Sequence, residues 1–182
     1  STSLGDAFNR YGREVSPLRK GERWEVIRLD RLARDNIALI KMADLQAADL
    51  ADWRDRRLKE VQPASVAREM NLIGSVLTVA RKEWGLLMGN PMADVRKPKK
   101  PPPRDRIATD KELEALAISA GCDLTKSTAR VFHAFLFACE TAMRAGEIIG
   151  LTWDHVDLHR QVAHLPETKN GHPRDVPLSK EA

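Results

Sequence analysis

The sequence predicts a mainly α-helical protein in two parts, with a small β-hairpin or sheet confined to the second. Three observations carry this. Apolar residues recur every three or four positions through most of residues 1–95, with no strand-like alternation. The run Arg96-Lys97-Pro98-Lys99-Lys100-Pro101-Pro102-Pro103-Arg104 then interrupts the pattern. Beyond it, helical patterns give way to two alternating runs, residues 161–165 and 174–178, around an Asn-Gly pair. The expected division is a helical domain over 1–95, a basic Pro-rich linker over 96–106 and an α+β domain over 107–182.

In the first part, Ser3-x-x-Asp6 has the form of a capping box, followed at helical spacing by Leu4, Phe8, Tyr11 and Val15. A second helix is expected around Trp24, Ile27 and Arg31, and a third around Leu50, Trp53 and Leu58. The fourth has the clearest pattern. Pro63 suits a first helical position, and Val66, Met70, Ile73, Leu77, Ala80 and Trp84 make one apolar stripe. It should close between Gly85 and Gly89, with a turn at Asn90-Pro91. Four such helices form a small bundle.

The linker's four prolines exclude a helix and favour extended backbone, and its like charges stretch it further. After it, Thr109-x-x-Glu112 is a second capping box, opening a helix with Leu113 and Leu116. Another helix is expected over about 127–140, with Val131, Phe132, Phe135, Leu136 and Cys139 as its apolar face. A turn and a short helix follow through Thr141-Ala142-Met143-Arg144-Ala145-Gly146-Glu147. The Asn170-Gly171 pair then signals a hairpin.

Composition narrows the function classes. Of 182 residues, 42% are hydrophobic and 31% charged, ordinary for a globular protein. Two cysteines, Cys122 and Cys139, make no disulfide framework and lack metal-ligand spacing. No apolar run is long enough for a membrane span and no signal peptide is visible, so a reduced, cytoplasmic setting is expected. The net charge is +4 with a pI near 9.2. Arg96, Lys97, Lys99, Lys100, Arg104 and Arg106 face the one acid Asp105, so this short stretch exceeds the excess of the whole chain. An extended cationic run of this kind suits a DNA backbone, whose neutralisation releases counterions. Arg54, Arg56, Arg57 and Arg68 read either as further phosphate contacts or as the polar faces of amphipathic helices. His155, His159, His164 and His172 have no ligand spacing, and no metal site is expected.

Two segments carry chemistry. One runs Thr141-Ala142-Met143-Arg144-Ala145-Gly146-Glu147-Ile148-Ile149-Gly150-Leu151-Thr152-Trp153-Asp154-His155-Val156-Asp157-Leu158. The other runs Thr168-Lys169-Asn170-Gly171-His172-Pro173-Arg174-Asp175-Val176-Pro177-Leu178-Ser179. In this order and at this separation they resemble the first half of the catalytic domain of the tyrosine recombinases, the phage integrase family. The helical first part and basic linker resemble, more loosely, that family's core-binding domain and connector.

The resemblance implies a site-specific recombinase or integrase of a phage or other mobile element. Such a protein cuts and rejoins double-stranded DNA through a 3′-phosphotyrosine, with no metal or nucleotide cofactor. Four protomers work on two DNA sites. Arg144 becomes the active-site arginine that clamps the scissile phosphate, since a guanidinium offers a charged planar fork. Glu147 becomes the acid that orients the site. Lys169 becomes the general acid that protonates the departing 5′ hydroxyl. Arg174 is expected to flank its strand and reach phosphate or Asp175. The family's His-x-x-Arg motif, later His or Trp and tyrosine nucleophile are not among these residues. The only tyrosine, Tyr11, sits on the apolar face of the first helix. The expectation is a chain cut off before its nucleophile, which binds DNA without cleaving it and leaves the apolar face at Phe132 and Phe135 uncovered. The alternative is a non-catalytic DNA-binding regulator or an inactivated integrase remnant.

Overall fold

The computed structural model describes residues 2–99, 101–103, 105–168 and 170–182. The chain divides into two units, Ser1–Arg104 and Asp105–Ala182. Among the described residues, no helix is long and apolar enough to cross a membrane.

The first unit is built on helices α1 (Leu4–Glu14), α2 (Glu22–Leu32), α3 (Ala47–Leu58) and α4 (Pro63–Lys82). Helix α1 begins where the sequence places it. The Asp6 amide donates to Ser3 Oγ at 3.1 Å and the Ser3 amide to Asp6 Oδ2 at 2.9 Å, which satisfies donors that a helix start leaves free. Pro63 opens α4, where its missing N–H has no partner to lose. Val66, Met70, Ile73, Leu77 and Ala80 of α4 are all fully buried. They share one core with Leu4, Phe8 and Tyr11 of α1, Leu29 and Leu32 of α2, and Leu50 and Trp53 of α3. Each large apolar side chain buried this way contributes about 1.5–3 kcal/mol.

Helix α4 stops at Lys82, before Trp84, and Gly85 takes φ 63° to turn the chain away. The Asn90-Pro91 turn docks back on α4. Asn90 Nδ2 donates to the Gly74 carbonyl at 3.0 Å and to Thr78 Oγ1 at 2.9 Å, while its Oδ1 accepts the Met92 amide at 3.0 Å. Helix α2 exists as expected but buries other residues than those that signalled it. Trp24 and Ile27 are 64% and 50% exposed, while Leu29 and Leu32 enter the core.

The arginines left open in the sequence divide between structural and exposed positions. Arg57 is buried on α3 and makes a two-pronged ion pair with Glu69 of α4, at 2.8 and 2.9 Å, with a further bond to Glu60. Arg56 forks onto Asp35 at 2.6 and 3.0 Å. Arg68 is exposed.

Tyr11 is the core residue its position implied, fully buried, and burial pushes its phenol pKa upward. Its hydroxyl has no hydrogen-bond partner among the described residues. An unsatisfied buried donor is costly, so Tyr11→Phe should raise the stability of this unit by about 1 kcal/mol. The midpoint of urea unfolding reads this. A fall would mean that the hydroxyl has a partner.

The second unit holds helices α5 (Asp110–Ala120), α6 (Ser127–Thr141) and α7 (Ala145–Ile149), then strands β1 (Val156–Asp157), β2 (Val162–Leu165) and β3 (Arg174–Pro177). The strands form one antiparallel sheet in the order β1-β2-β3. The Thr109 to Glu112 capping box is formed at α5. A small core gathers Met143 with Ala163 and Leu165 of β2 and Val176 of β3, bordered by Phe137, Ile148, Leu151, Val156 and Leu178. The face of α6 expected to be apolar is largely open. Val131 is 67% and Phe135 40% exposed, along a groove of about 500 Å³ shared with Leu116 of α5.

The hairpin forms between the two runs the sequence marks, 161–165 and 174–178, as strands β2 and β3. Pairing stops at Leu165 opposite Arg174, and the described residues 166–168 and 170–173 lie outside the ladder. Pro166 and Pro173 bracket this stretch, and neither can donate to a strand ladder. Asn170-Gly171 therefore turns the chain inside it, with Gly171 at φ 81° and its amide donating to the Thr168 carbonyl at 2.9 Å.

Candidate active site

The end of α6 sets the geometry. Thr141 Oγ1 donates to the Phe137 carbonyl at 2.6 Å, and Ala142 then adopts a left-handed φ of 52°. A left-handed alanine costs about 1–2 kcal/mol and reverses the chain sharply. Met143 is thereby buried, and Arg144 emerges at the N-cap of α7. Strain of this kind beside polar groups is frequent at functional sites.

Glu147, at the third position of α7, gathers three donors. Its Oε2 accepts the Arg144 backbone amide at 2.9 Å, half of a capping box, and its Oε1 accepts Arg144 Nη1 at 2.9 Å. From β3, Arg174 Nη2 donates to the same Oε2 at 2.9 Å. The Glu147 side chain is 6% exposed, while those of Arg144 and Arg174 are 53% and 40% exposed. One shielded carboxylate thus holds two guanidinium groups whose remaining donors face solvent. The Arg144 backbone amide is the largest influence on Glu147, and with the side chains of Arg144 and Arg174 it brings the carboxyl pKa down to about 2, from an ordinary 4.5.

A carboxyl that titrates lower in the folded than in the unfolded chain stabilises the fold fully above pH 4.5 and loses that contribution as pH falls towards 2. The second unit should lose stability through this window, and Glu147→Gln should flatten the profile there. Hydrogen exchange at α7 amides, followed against pH, reads this. Parallel profiles for the two proteins would contradict it.

Of the two partners expected for Arg174, phosphate or Asp175, Asp175 is taken by another residue, and Arg174 pairs with Glu147. Successive strand residues point to opposite faces, so Arg174 turns to α7 and Asp175 pairs across the sheet with His164, Nδ1 to Oδ1 at 2.6 Å. Lys169 lies outside the described residues. The loop around it is shaped by Thr168, whose hydroxyl donates to the His172 carbonyl at 2.8 Å.

The basic stretch is partly anchored rather than free. Arg54 Nη1 donates to the Arg96 carbonyl at 2.8 Å, and Lys97 Nζ to Asn71 Oδ1 at 2.8 Å. Arg96, Lys97 and Lys99 are exposed beside a cleft of about 410 Å³ that Arg54 and Pro63 also line. Arg106, in the second unit, pairs with Glu112. Lys100 and Arg104 lie outside the described residues. Arg54 and Asn71 were not picked out as partners of this stretch in the sequence. Among the described residues, no cluster of three or more His, Cys, Asp or Glu side chains is placed to hold a metal ion.

Residues 107–182 match the model of the phage integrase family. The chain is 42% identical over 188 residues to a shufflon-specific DNA recombinase of Escherichia coli, covering 99% of this chain and 48% of that protein. It is 31% identical over 127 residues to the integrase of Salmonella phage P22, covering 66% of this chain and 30% of the phage protein. It spans between 48% and 60% of the curated relatives that it matches along its whole extent. Among solved structures, a lambda integrase dimer bound to a core site superposes with a TM-score of 0.76 at 18% identity, over 97% of this chain and 62% of that one. The Tn1549 transposon integrase, in complex with circular intermediate DNA, gives 0.74 at 17% identity, over 100% of this chain and 62% of that one. At such identities the superpositions speak for the fold, a helical unit followed by helices with a small antiparallel sheet. The chain belongs to the phage integrase family, the tyrosine recombinases.

Proposed function

We propose that this chain grips duplex DNA as part of a site-specific recombinase that cuts and rejoins strands through a 3′-phosphotyrosine intermediate. In this reading, residues 1–95 act as a core-binding domain and 107–182 as part of the catalytic domain. The cations of 96–106, namely Arg96, Lys97, Lys99, Lys100, Arg104 and Arg106, lie along the DNA backbone between them. The observation that carries the reading is the carboxylate of Glu147 fixing Arg144 at the cap of α7 with most of its donors free.

The chemistry follows from charge. Attack on a phosphodiester gathers negative charge on the non-bridging oxygens of the transition state. A guanidinium already fixed in place stabilises that charge without reorganising at the moment of reaction. Arg144 supplies it, and Glu147 holds it. Lys169 donates the proton that lets the 5′ oxygen leave as a hydroxyl. The working assembly is four protomers on two DNA sites.

These 182 residues alone form no covalent intermediate in this proposal. Their one tyrosine, Tyr11, is fully buried in the first unit. The chain mixed with a nicked duplex should therefore shift it on a native gel and leave no protein-linked strand on a denaturing gel. A covalent adduct would overturn the assignment. Reading the source gene past the codon for Ala182 tests the rest. A frame that continues into His-x-x-Arg and a tyrosine should encode a protein that does form the adduct, and Arg144→Ala should abolish it. An immediate stop codon would favour a DNA-binding remnant.

A further inference from the structure

Arg174 and Glu147 are 27 residues apart in sequence and joined directly in the fold. Arg174 is also the first residue of β3. It pairs with Leu165, the last residue of β2, so the two form the final rung of the ladder before the chain turns at Asn170-Gly171. A bond from Arg174 to the cap of α7 therefore ties the root of that turn to the segment that presents Arg144. Both arginines meet one carboxylate, each through a different oxygen.

Charge gives this arrangement a consequence. Arg144 and Glu147 alone make a neutral pair, in which an incoming phosphate meets the carboxylate as well as the guanidinium. Arg174 engages the carboxylate oxygen that the Arg144 guanidinium does not, and leaves the trio with one net positive charge. The Glu147 side chain is shielded, whereas both guanidinium groups are half-open, so an approaching anion meets donors first. Each arginine spends one side-chain N–H on Glu147, and a guanidinium carries five.

We propose that Arg174 is a positioning residue that acts through Glu147, fixing Arg144 and the root of the Lys169 loop against each other and keeping the site electropositive for a phosphodiester. This rests on the reading of Arg144 as the phosphate clamp. It assigns Arg174 to the clamp itself rather than to the outlying phosphate contacts. The geometry also separates arginine from lysine at this position. A lysine restores the charge but not the planar fork that lets one N–H hold Glu147 while others stay free.

The test uses the 182-residue chain with Arg174→Gln and Arg174→Lys. Two readouts by NMR are the titration of the Glu147 carboxyl without DNA and the shift of the Arg144 guanidinium signals on adding a short duplex. Arg174→Gln should move the Glu147 midpoint from about 2 up towards 4.5 and weaken the response of Arg144 to the duplex about tenfold in affinity. Arg174→Lys should restore the midpoint in part and the Arg144 response less. Arg174 is exposed enough for both variants to fold, and an unchanged β2–β3 amide pattern verifies this. If Arg174→Gln leaves both the midpoint and the Arg144 response unaltered, the positioning role is wrong. If the unsubstituted chain binds no duplex at any salt concentration, the DNA reading fails. The titration, read without DNA, still decides whether Arg174 holds Glu147.

Discussion

Replacing Arg57 by Leu should destabilise the first unit by about 3–5 kcal/mol, a large part of the 5–15 kcal/mol that holds a domain of this size together. The reason is the carboxylate left behind. Glu69 is 8% exposed and meets Arg57 through both of its oxygens. Without the guanidinium, that charge must stay buried unpaired, take up a proton, or drag α4 towards water. The same logic limits what the pair adds. Desolvating both ions nearly offsets their attraction, so the double variant Arg57→Leu with Glu69→Leu should recover most of the loss. Denaturation followed by tryptophan fluorescence reports chiefly on this unit, since Trp24, Trp53 and Trp84 lie in it and only Trp153 in the other. The single variant should lower Tm by more than about 10 °C. A double variant no more stable than the single one would show that the pair is a net source of stability rather than a mutual obligation.

That pair also shows what could be read from sequence and what could not. Helices α1 and α4 were legible because their stabilisation is local and periodic. A capping box or a proline marks the start, and one stripe of side chains every three or four residues enters the core. Arg57 and Glu69 sit 12 residues apart on two helices, and no local spacing announces their contact. An arginine destined for burial looks the same in sequence as one bound for phosphate, which left Arg54, Arg56 and Arg57 open until their partners were seen. Strand β1 went unread because two residues carry no alternation. The β2–β3 hairpin was legible because alternation marks both strands, and Pro166 and Pro173 fix where the ladder ends. Arg144 and Glu147 were visible as a spaced pair within a longer motif. The third member of their cluster, Arg174, was visible as a residue but not as a partner, because the sheet brings it there.

The second large effect concerns the basic stretch. Changing Lys97, Lys99 and Lys100 together to Gln should weaken duplex binding strongly at low salt and much less at high salt. Three lost phosphate contacts reduce the slope of log affinity against log salt by about 2.7, so the advantage of the unsubstituted chain should shrink about 40-fold between 50 and 200 mM salt. The structure strengthens this expectation at its first residues. The Arg96 carbonyl is held by Arg54 and the Lys97 ammonium by Asn71, so this part of the stretch forgoes less freedom on meeting DNA than a wholly free linker would. Lys97 need not give up Asn71 to do so, because an ammonium has three donors and Asn71 takes one. Fluorescence anisotropy with a labelled duplex, over a salt series, measures the slope directly. A slope unchanged in the triple variant would take these lysines out of the interface and leave DNA contact to the helical unit and to the Arg144 site. A slope reduced by about 0.9 rather than about 2.7 would mean that a single lysine touches phosphate, and the individual substitutions would then identify it.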